Sequence, residues 1–570
     1  MRNLIKSIGT VLATLAFAAA CTDMQTPAPD EQTVAGDFPG HAVTQSAITA
    51  QDFAFRVKSL ADDRFAGRGP GTPNGEAAAD WIAAEMQRVG LTPGNRGSFF
   101  QDVPAAALTL DPSASSFEIV GKDGAKSLKF ADEVAFWTPR FDHQDQDVKA
   151  SELVFVGYGV TAPEYQWDDF KGIDVKGKTI VLLINDPGFI TGDESMFKGR
   201  AMTYYGRWTY KFEEAARRGA AAVIIVHETE PAAYGWQVVR NSNTGAKYYL
   251  DKPNGNSDLA VVHSWITTDV AKSLFARAGL NYDELRIAAN KHGFRAVSMK
   301  GLTLNAHTHS TISKLETRNV IGVVKGSVKP SEYVLYMAHW DHLGVKESVP
   351  GNDKIHNGAV DNASGVAAIL EMAEAYATAP KRPRRSVMFA SVTLEEQGLL
   401  GSEYLARHLP VPARKIVAGM NFDGVGPSGP AKDMTVVGSG ASELEDMLAA
   451  ILKTQGRSVS PDPEPEKGSY YRSDHINLSK VGIPMLYSGA GTDLVDGGTA
   501  AGLAQRQDYT RNRYHQPSDE FTPDWDLRAA VQTMETSLEL GSQIANSDRW
   551  PTWYKTSEFR RIRDRSLKSK

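Results

Sequence analysis

From about residue 319 onward the chain alternates short, uninterrupted apolar runs with stretches whose apolar residues recur three and four positions apart. The runs are Asn319 to Val324, Tyr333 to Ala338, Ser386 to Leu394, Ile416 to Phe422 and Ile483 to Tyr487. Runs that are apolar at nearly every position suit strands covered on both faces. Helical periodicity fills the gaps at Ser364 to Ala377, Gly401 to His408, Glu443 to Thr454 and Trp525 to Ala545. Strand–helix alternation predicts an α/β fold, a mostly parallel sheet with helices on both faces. Three of the runs also end alike: one delivers His339, Asp341 and His342, the next Glu395 and Glu396, the third Asp423. Ligands gather at the carboxyl ends of such strands, so the chemistry is expected there.

Upstream the texture differs. Gln51 to Leu60 and Glu76 to Val89 carry helical periodicity, separated by the turn-dense Ala66-Gly-Arg-Gly-Pro-Gly-Thr-Pro-Asn-Gly75, which lacks the Lys-Ser/Thr ending of a phosphate loop. Between residues 150 and 299 the runs become short and Gly-rich (Leu153 to Val156, Thr179 to Ile184, Ala221 to Val226), with one amphipathic helix, Tyr210 to Gly219. No His and carboxylates cluster at a strand tip there, so this reads as an inserted β-rich module without its own chemistry. The expected organisation is a leader at 1–20, a tether at 21–50, a first part of the main domain at 51–149, the insert at 150–299, a second part at 300–546 that carries the site, and a basic, solvated tail at 547–570.

Composition sharpens this picture at two points. A net charge of −6 over 570 residues leaves no broad basic surface, which argues against nucleic acid as a partner. Cys21 is the single cysteine, so no disulfide is expected. It follows Arg2 and Lys6, an apolar core from Val11 to Phe17, and Ala18-Ala-Ala20, the layout of a secretory signal. The arrangement resembles a bacterial lipoprotein signal, in which Cys21 would become the lipidated first residue and the only membrane attachment; an ordinary signal peptide cut nearby is the alternative. An exported, periplasmic or cell-envelope protein is the expectation.

The candidate chemistry lies in the second half: His339, Asp341, Asp361, Glu395, Glu396, Asp423 and His515. Imidazole and carboxylate are donors that zinc accepts, and the inventory suits two zinc ions, with a shared carboxylate holding them about 3.5–4 Å apart. Adjacent glutamates on a strand point to opposite faces, so Glu395 and Glu396 can serve one site only if the backbone turns after Leu394.

These residues sit in motifs. Ala338-His-Trp-Asp-His-Leu-Gly344, Asn357-Gly-Ala-Val-Asp-Asn-Ala-Ser-Gly365, Glu395-Glu-Gln-Gly-Leu-Leu-Gly-Ser402, Asn421-Phe-Asp423, Ser473-Asp-His475 with Gly482-Ile-Pro484, and Tyr514-His515 together resemble the co-catalytic di-zinc exopeptidases of metallopeptidase family 28, clan MH, which include bacterial aminopeptidases and glutamate carboxypeptidases. The similarity runs from about Asp52 to Asn546, and the insert resembles a protease-associated domain. The resemblance implies His339 and Asp423 on one zinc, Glu396 and His515 on the other, and Asp361 bridging. It implies Glu395 as the base, Asp341 behind His339 as acceptor of its free ring N–H, and Tyr470, beside Tyr471, near the developing oxyanion. His342 and His475 are read as structural. The implied activity is a metallo-aminopeptidase acting on peptides. A glutamate carboxypeptidase-like exopeptidase, a single-zinc glutaminyl cyclase-like transferase and a non-catalytic binding protein of the same fold are the alternatives.

Overall fold

The computed structural model describes residues 45–568. The leader, Cys21 and most of the tether lie outside the described residues.

The alternating runs fold as the pattern predicts. In chain order the main sheet is built from β1 (Phe100–Leu110), β2 (Val297–Val324), β3 (Lys329–His339), β4 (Arg385–Val392), β5 (Ile416–Asn421) and β6 (Met485–Ala490). Its spatial order is β1-β2-β4-β3-β5-β6; β4, β3, β5 and β6 run parallel, and β1 and β2 are antiparallel to their neighbours. β4 and β5 are buried throughout, and β3 from Val334 to His339, because helices cover both faces: α1 (Ala50–Leu60), α2 (Pro73–Arg88), α3 (Ser364–Thr378) and α4 (Arg528–Ala545) are among them. Register aligns the tips, with His339 opposite Val392 and Met337 opposite Asn421. The loops that follow these three strands therefore start side by side.

A second sheet takes in Asp145–Phe155, Thr179–Leu183, Ala222–Val226 and Val262–Ile266, parallel to one another, with Val134–Trp137, Ser116–Gly121 and Gly124–Ser127 antiparallel at its margins. It thus begins near residue 116, ahead of the change of texture at residue 150: Val134–Trp137 is apolar but only four residues long, and Gly124–Ser127 is exposed, so neither shows as a run in the sequence. Its C-terminal limit is not a loop. The 28-residue β2 pairs with Asp145–Phe155 and Ser116–Gly121 through its first half and with β1 and β4 through its second. One strand belongs to both sheets, and residue 300 falls inside it.

The C-terminal segment departs from the solvated tail that its basic composition suggests. Trp553 is buried and donates to the Gly482 carbonyl, and a helix at Arg560–Lys568 docks through Arg563, whose guanidinium donates to the carbonyls of Ala413, Ile416 and Val417. Three carbonyls in one place give a buried arginine a better partner than water. No helix among the described residues is long and apolar enough to cross a membrane.

Candidate active site

The three strand tips and two loops bring the predicted side chains into one buried nest. His339 Nε2 stands 3.4 Å from Asp361 Oδ1 and 3.3 Å from Asp423 Oδ1. His515 Nε2 stands 3.2 Å from Asp361 Oδ2 and 3.2 Å from Glu396 Oε2. Two triads therefore share Asp361, one through each of its oxygens. Donors bound to one tetrahedral zinc at 2.0–2.1 Å are separated by about 3.3 Å, so both triads have the spacing of co-ligands. His339, Asp361 and Asp423 also form a group whose donor atoms all lie within 4.8 Å of one another, as do His342, Asp361 and Glu396. The residues present fit zinc in donor type and in spacing.

The two glutamates separate as their roles require. β4 ends at Val392, and Leu394 takes a left-handed conformation at φ 54° before Glu395. Asp341 fixes this turn: its fully buried carboxylate accepts the backbone N–H of Glu395 at 3.1 Å and of Glu396 at 3.3 Å. That corrects one expectation, because the Nδ1 of His339 is nearer the backbone carbonyl of Asp341 at 3.1 Å than its carboxylate at 3.8 Å. A carboxylate that must reach two adjacent amide donors cannot also lie in the plane of the ring.

Three further residues hold the nest, and none was singled out from the sequence. Arg68, from the Gly-rich loop before α2, is fully buried and donates to the carbonyls of Leu60, Trp340, Asn357 and Gly358, clamping the β3 tip against the Asp361 loop. Asn362 donates to the Phe422 carbonyl and accepts from Gly365 and Gly424, which pins the loop of Asp423 to that of Asp361. Asp519 accepts the backbone N–H groups of Val360 and Asp361, joining the His515 loop to the bridging carboxylate. The only sequence signal for these was proximity to a motif; for Arg68 it was a lone Arg between glycines.

Electrostatically the nest is crowded with negative charge. Burial pulls His339 down, but Glu395, Asp423 and Asp361 outweigh it and raise the imidazole well above its ordinary range. His515, likewise opposed by burial, is lifted to about 10 by Asp361 and Glu396. Burial pushes Glu396 up, yet His342 and His515 hold it down to about 2. For Glu395 burial acts first and the neighbouring Asp423, Glu396 and Asp474 add to it, so its carboxyl is raised well above the usual range.

Tyr470 is the predicted site residue that does not join the nest. Its ring packs with Trp553 and Phe559, His475 lies between it and Tyr487, and the carboxylates acting on it are Glu558 and Glu445. Two other phenols face the cluster. Tyr487 is raised by Asp423, Glu395 and Asp361 after burial, and Tyr514 stacks on His515 with ring centroids 3.8 Å apart. Spacing from the Ser473-Asp-His475 motif favoured Tyr470; the short helical turn at Ser469–Tyr471 aims it into the core instead.

Residues 319–539 match the sequence model of Peptidase family M28. The matched segment holds all the ligand-type residues of the nest, and it leaves the second sheet outside it. The chain is similar to Aminopeptidase NAALADL1 of Mus musculus, 35% identical over 128 residues that make up 22% of this chain and 16% of that protein. It is similar to the Probable lipoprotein aminopeptidase LpqL of Mycobacterium tuberculosis, 28% identical over 297 residues, 49% of this chain and 48% of that one. The chain thus spans at most about half the length of these two relatives. A solved aminopeptidase from Aneurinibacillus sp. strain AM-1 aligns over 87% of this chain and 93% of its own at 19% identity, with a TM-score of 0.46.

Proposed function

We propose that the protein is a zinc-dependent exopeptidase that removes residues from the N-terminus of peptides, using two zinc ions. The observation that carries this reading is the pair of triads sharing Asp361, each with co-ligand spacing, beside a half-buried glutamate, Glu395, that belongs to neither. His339, Asp361 and Asp423 would hold one ion, and His515, Asp361 and Glu396 the other. When bound, such ions polarise a carbonyl and lower the pKa of a water molecule toward 7.

The remaining work falls to the chain's own side chains. Glu395, kept from binding by the turn that Asp341 fixes, takes the proton of the attacking water and returns it to the leaving amine. Its raised affinity for a proton suits that exchange. Tyr514 and Tyr487 supply O–H donors for charge developing on the carbonyl oxygen, in place of Tyr470. The acidic nest, with Glu395, Glu396, Asp361 and Asp423 together, favours the ammonium of a free N-terminus. The layout around Cys21 and the name of the mycobacterial relative support an exported lipoprotein.

One observation favours a second reading, a carboxypeptidase. Arg207 of the second-sheet region is buried, its Nε has no hydrogen-bond partner, and burial depresses its pKa to about 10, with Tyr234, Arg472 and Tyr471 as the groups acting on it rather than any carboxylate. Arg472 is one residue from Ser473, which donates to Asp423 at 2.6 Å. The buried Arg207 and the exposed Arg472 could together receive a substrate carboxylate. Peptides differing only in N-terminal acetylation decide between the readings. The aminopeptidase requires the free amine; equal cleavage of the acetylated peptide, or loss of residues from the C-terminus, selects the second.

A further inference from the structure

His342 was read as structural, and the geometry assigns it more. Its side chain is fully buried, and its Nδ1 lies 2.7 Å from Glu396 Oε1. Neither atom makes a hydrogen bond of good angular geometry, with the other or with any third group, so the close approach is an ion-pair contact that a small turn of the imidazole would convert into a hydrogen bond. Buried polar atoms are almost always paired, so each is the partner available to the other. The distance also distinguishes the kind of contact. The two triads stand at 3.2–3.4 Å, whereas 2.7 Å is shorter than the roughly 3.3 Å edge of a zinc tetrahedron and lies within hydrogen-bond range.

The same device appears at the other ion's position. Asp423 offers Oδ1 to His339, and its Oδ2 accepts the Ser473 hydroxyl at 2.6 Å. Glu396 offers Oε2 to His515, and its Oε1 faces His342. In both, one oxygen is left for the metal; the other accepts the serine hydroxyl in Asp423 and lies 2.7 Å from the imidazole in Glu396. The imidazole itself is held from behind: its backbone N–H donates to the Arg68 carbonyl at 3.2 Å, and the ring lies so close over Gly358 that a Cβ there would stand 2.5 Å from His342 Cδ2. Gly358 has φ +56°, so a side chain at that position would be both strained and obstructed.

We propose that His342 is a positioning residue that donates its Nδ1–H to Glu396 Oε1, fixing this glutamate as a one-oxygen ligand of the metal it shares with His515. The inference rests on the ligand assignment of the proposed function. Anchors of metal ligands are typically worth about 10–100-fold in metal affinity. His342→Leu removes the donor at similar bulk, while His342→Asn can return an N–H near the Nδ1 position.

The test is zinc binding by chelator competition, with stoichiometry by mass spectrometry and thermal unfolding of the metal-free protein run alongside. Expected for His342→Leu is a loss of about 10–100-fold in affinity at one of two zinc sites, the other site and the metal-free Tm staying near wild type, and substantial recovery in His342→Asn. Two sites of wild-type affinity in His342→Leu overturn the inference alone. Equal weakening of both sites together with a lowered metal-free Tm, not recovered by Asn, reduces His342 to structure. A wild-type chain that binds fewer than two zinc ions removes the ligand assignment and the inference together.

Discussion

Glu395 and Glu396 are neighbours in sequence and occupy different chemistry because the turn at Leu394 sends them to different places. Glu395→Gln should abolish turnover and leave zinc content near two per chain, while Glu396→Gln should lose one zinc; the check is kcat beside metal stoichiometry. For the phenols, Tyr514→Phe should cost about 100-fold in kcat, the scale of one lost oxyanion donor, and Tyr470→Phe should leave kcat within a factor of two. The imidazoles set a pH dependence. In the metal-free protein His515 is raised to about 10 from its ordinary 6.5. Its contribution to stability is therefore complete below about 6.5 and lost as pH rises through 10. Zinc must displace that proton, and the one on His339, so apparent affinity should climb by about a power of ten per pH unit for each imidazole between pH 6 and 8, with protons released on binding. Chelator competition at several pH values, with proton release read in weak buffer, checks both. These residues were legible because charge at the end of an apolar run is unusual. Tyr470 misled because spacing along the chain does not say which way a one-turn helix aims its ring.

Among the elements, β3, β4 and β5 were readable from their apolar runs, and α3 and the helix Glu443–Thr454 from their period. The framework between them was not. Arg68 answers to backbone carbonyls at positions 60, 340, 357 and 358, which share no pattern until the chain has folded. The margin strands of the second sheet were likewise silent, since an exposed run such as Gly124–Ser127 has no apolar face to display. The clamp predicts its own mutant. Arg68→Met leaves four carbonyls without their donor, and each unsatisfied group costs about 1–3 kcal/mol. A loss of at least 3 kcal/mol in chemical denaturation is expected, with weaker zinc binding because the β3 tip and the Asp361 loop part company. Unchanged stability would mean that water replaces the guanidinium at no cost.

At the scale of the molecule, the second-sheet region touches the segment that leads into the site. Lys480 pairs with Glu213 at 2.7 Å, the Met202 N–H donates to the Pro465 carbonyl, and Tyr204 packs against Tyr471 and Phe559. We propose that this region shapes access and takes no part in bond breaking. Substitutions on its surface beside the site should raise KM for longer peptides more than they lower kcat for a dipeptide-sized substrate. Equal loss of kcat on both would place part of the catalytic apparatus there.

The strand common to both sheets bears on how that access works. A domain joined by loops can swing on a hinge, because a few backbone dihedrals absorb the motion at little cost. Here β2 carries the connection as a ladder paired without a break from Ala306 to Val324, and rotating one sheet against the other would have to shear that ladder. The strand is a splint. An opening framed by a splint has a set width, so the proposed peptidase would sort its substrates as a sieve does, by whether a chain end is thin and unfolded enough to enter.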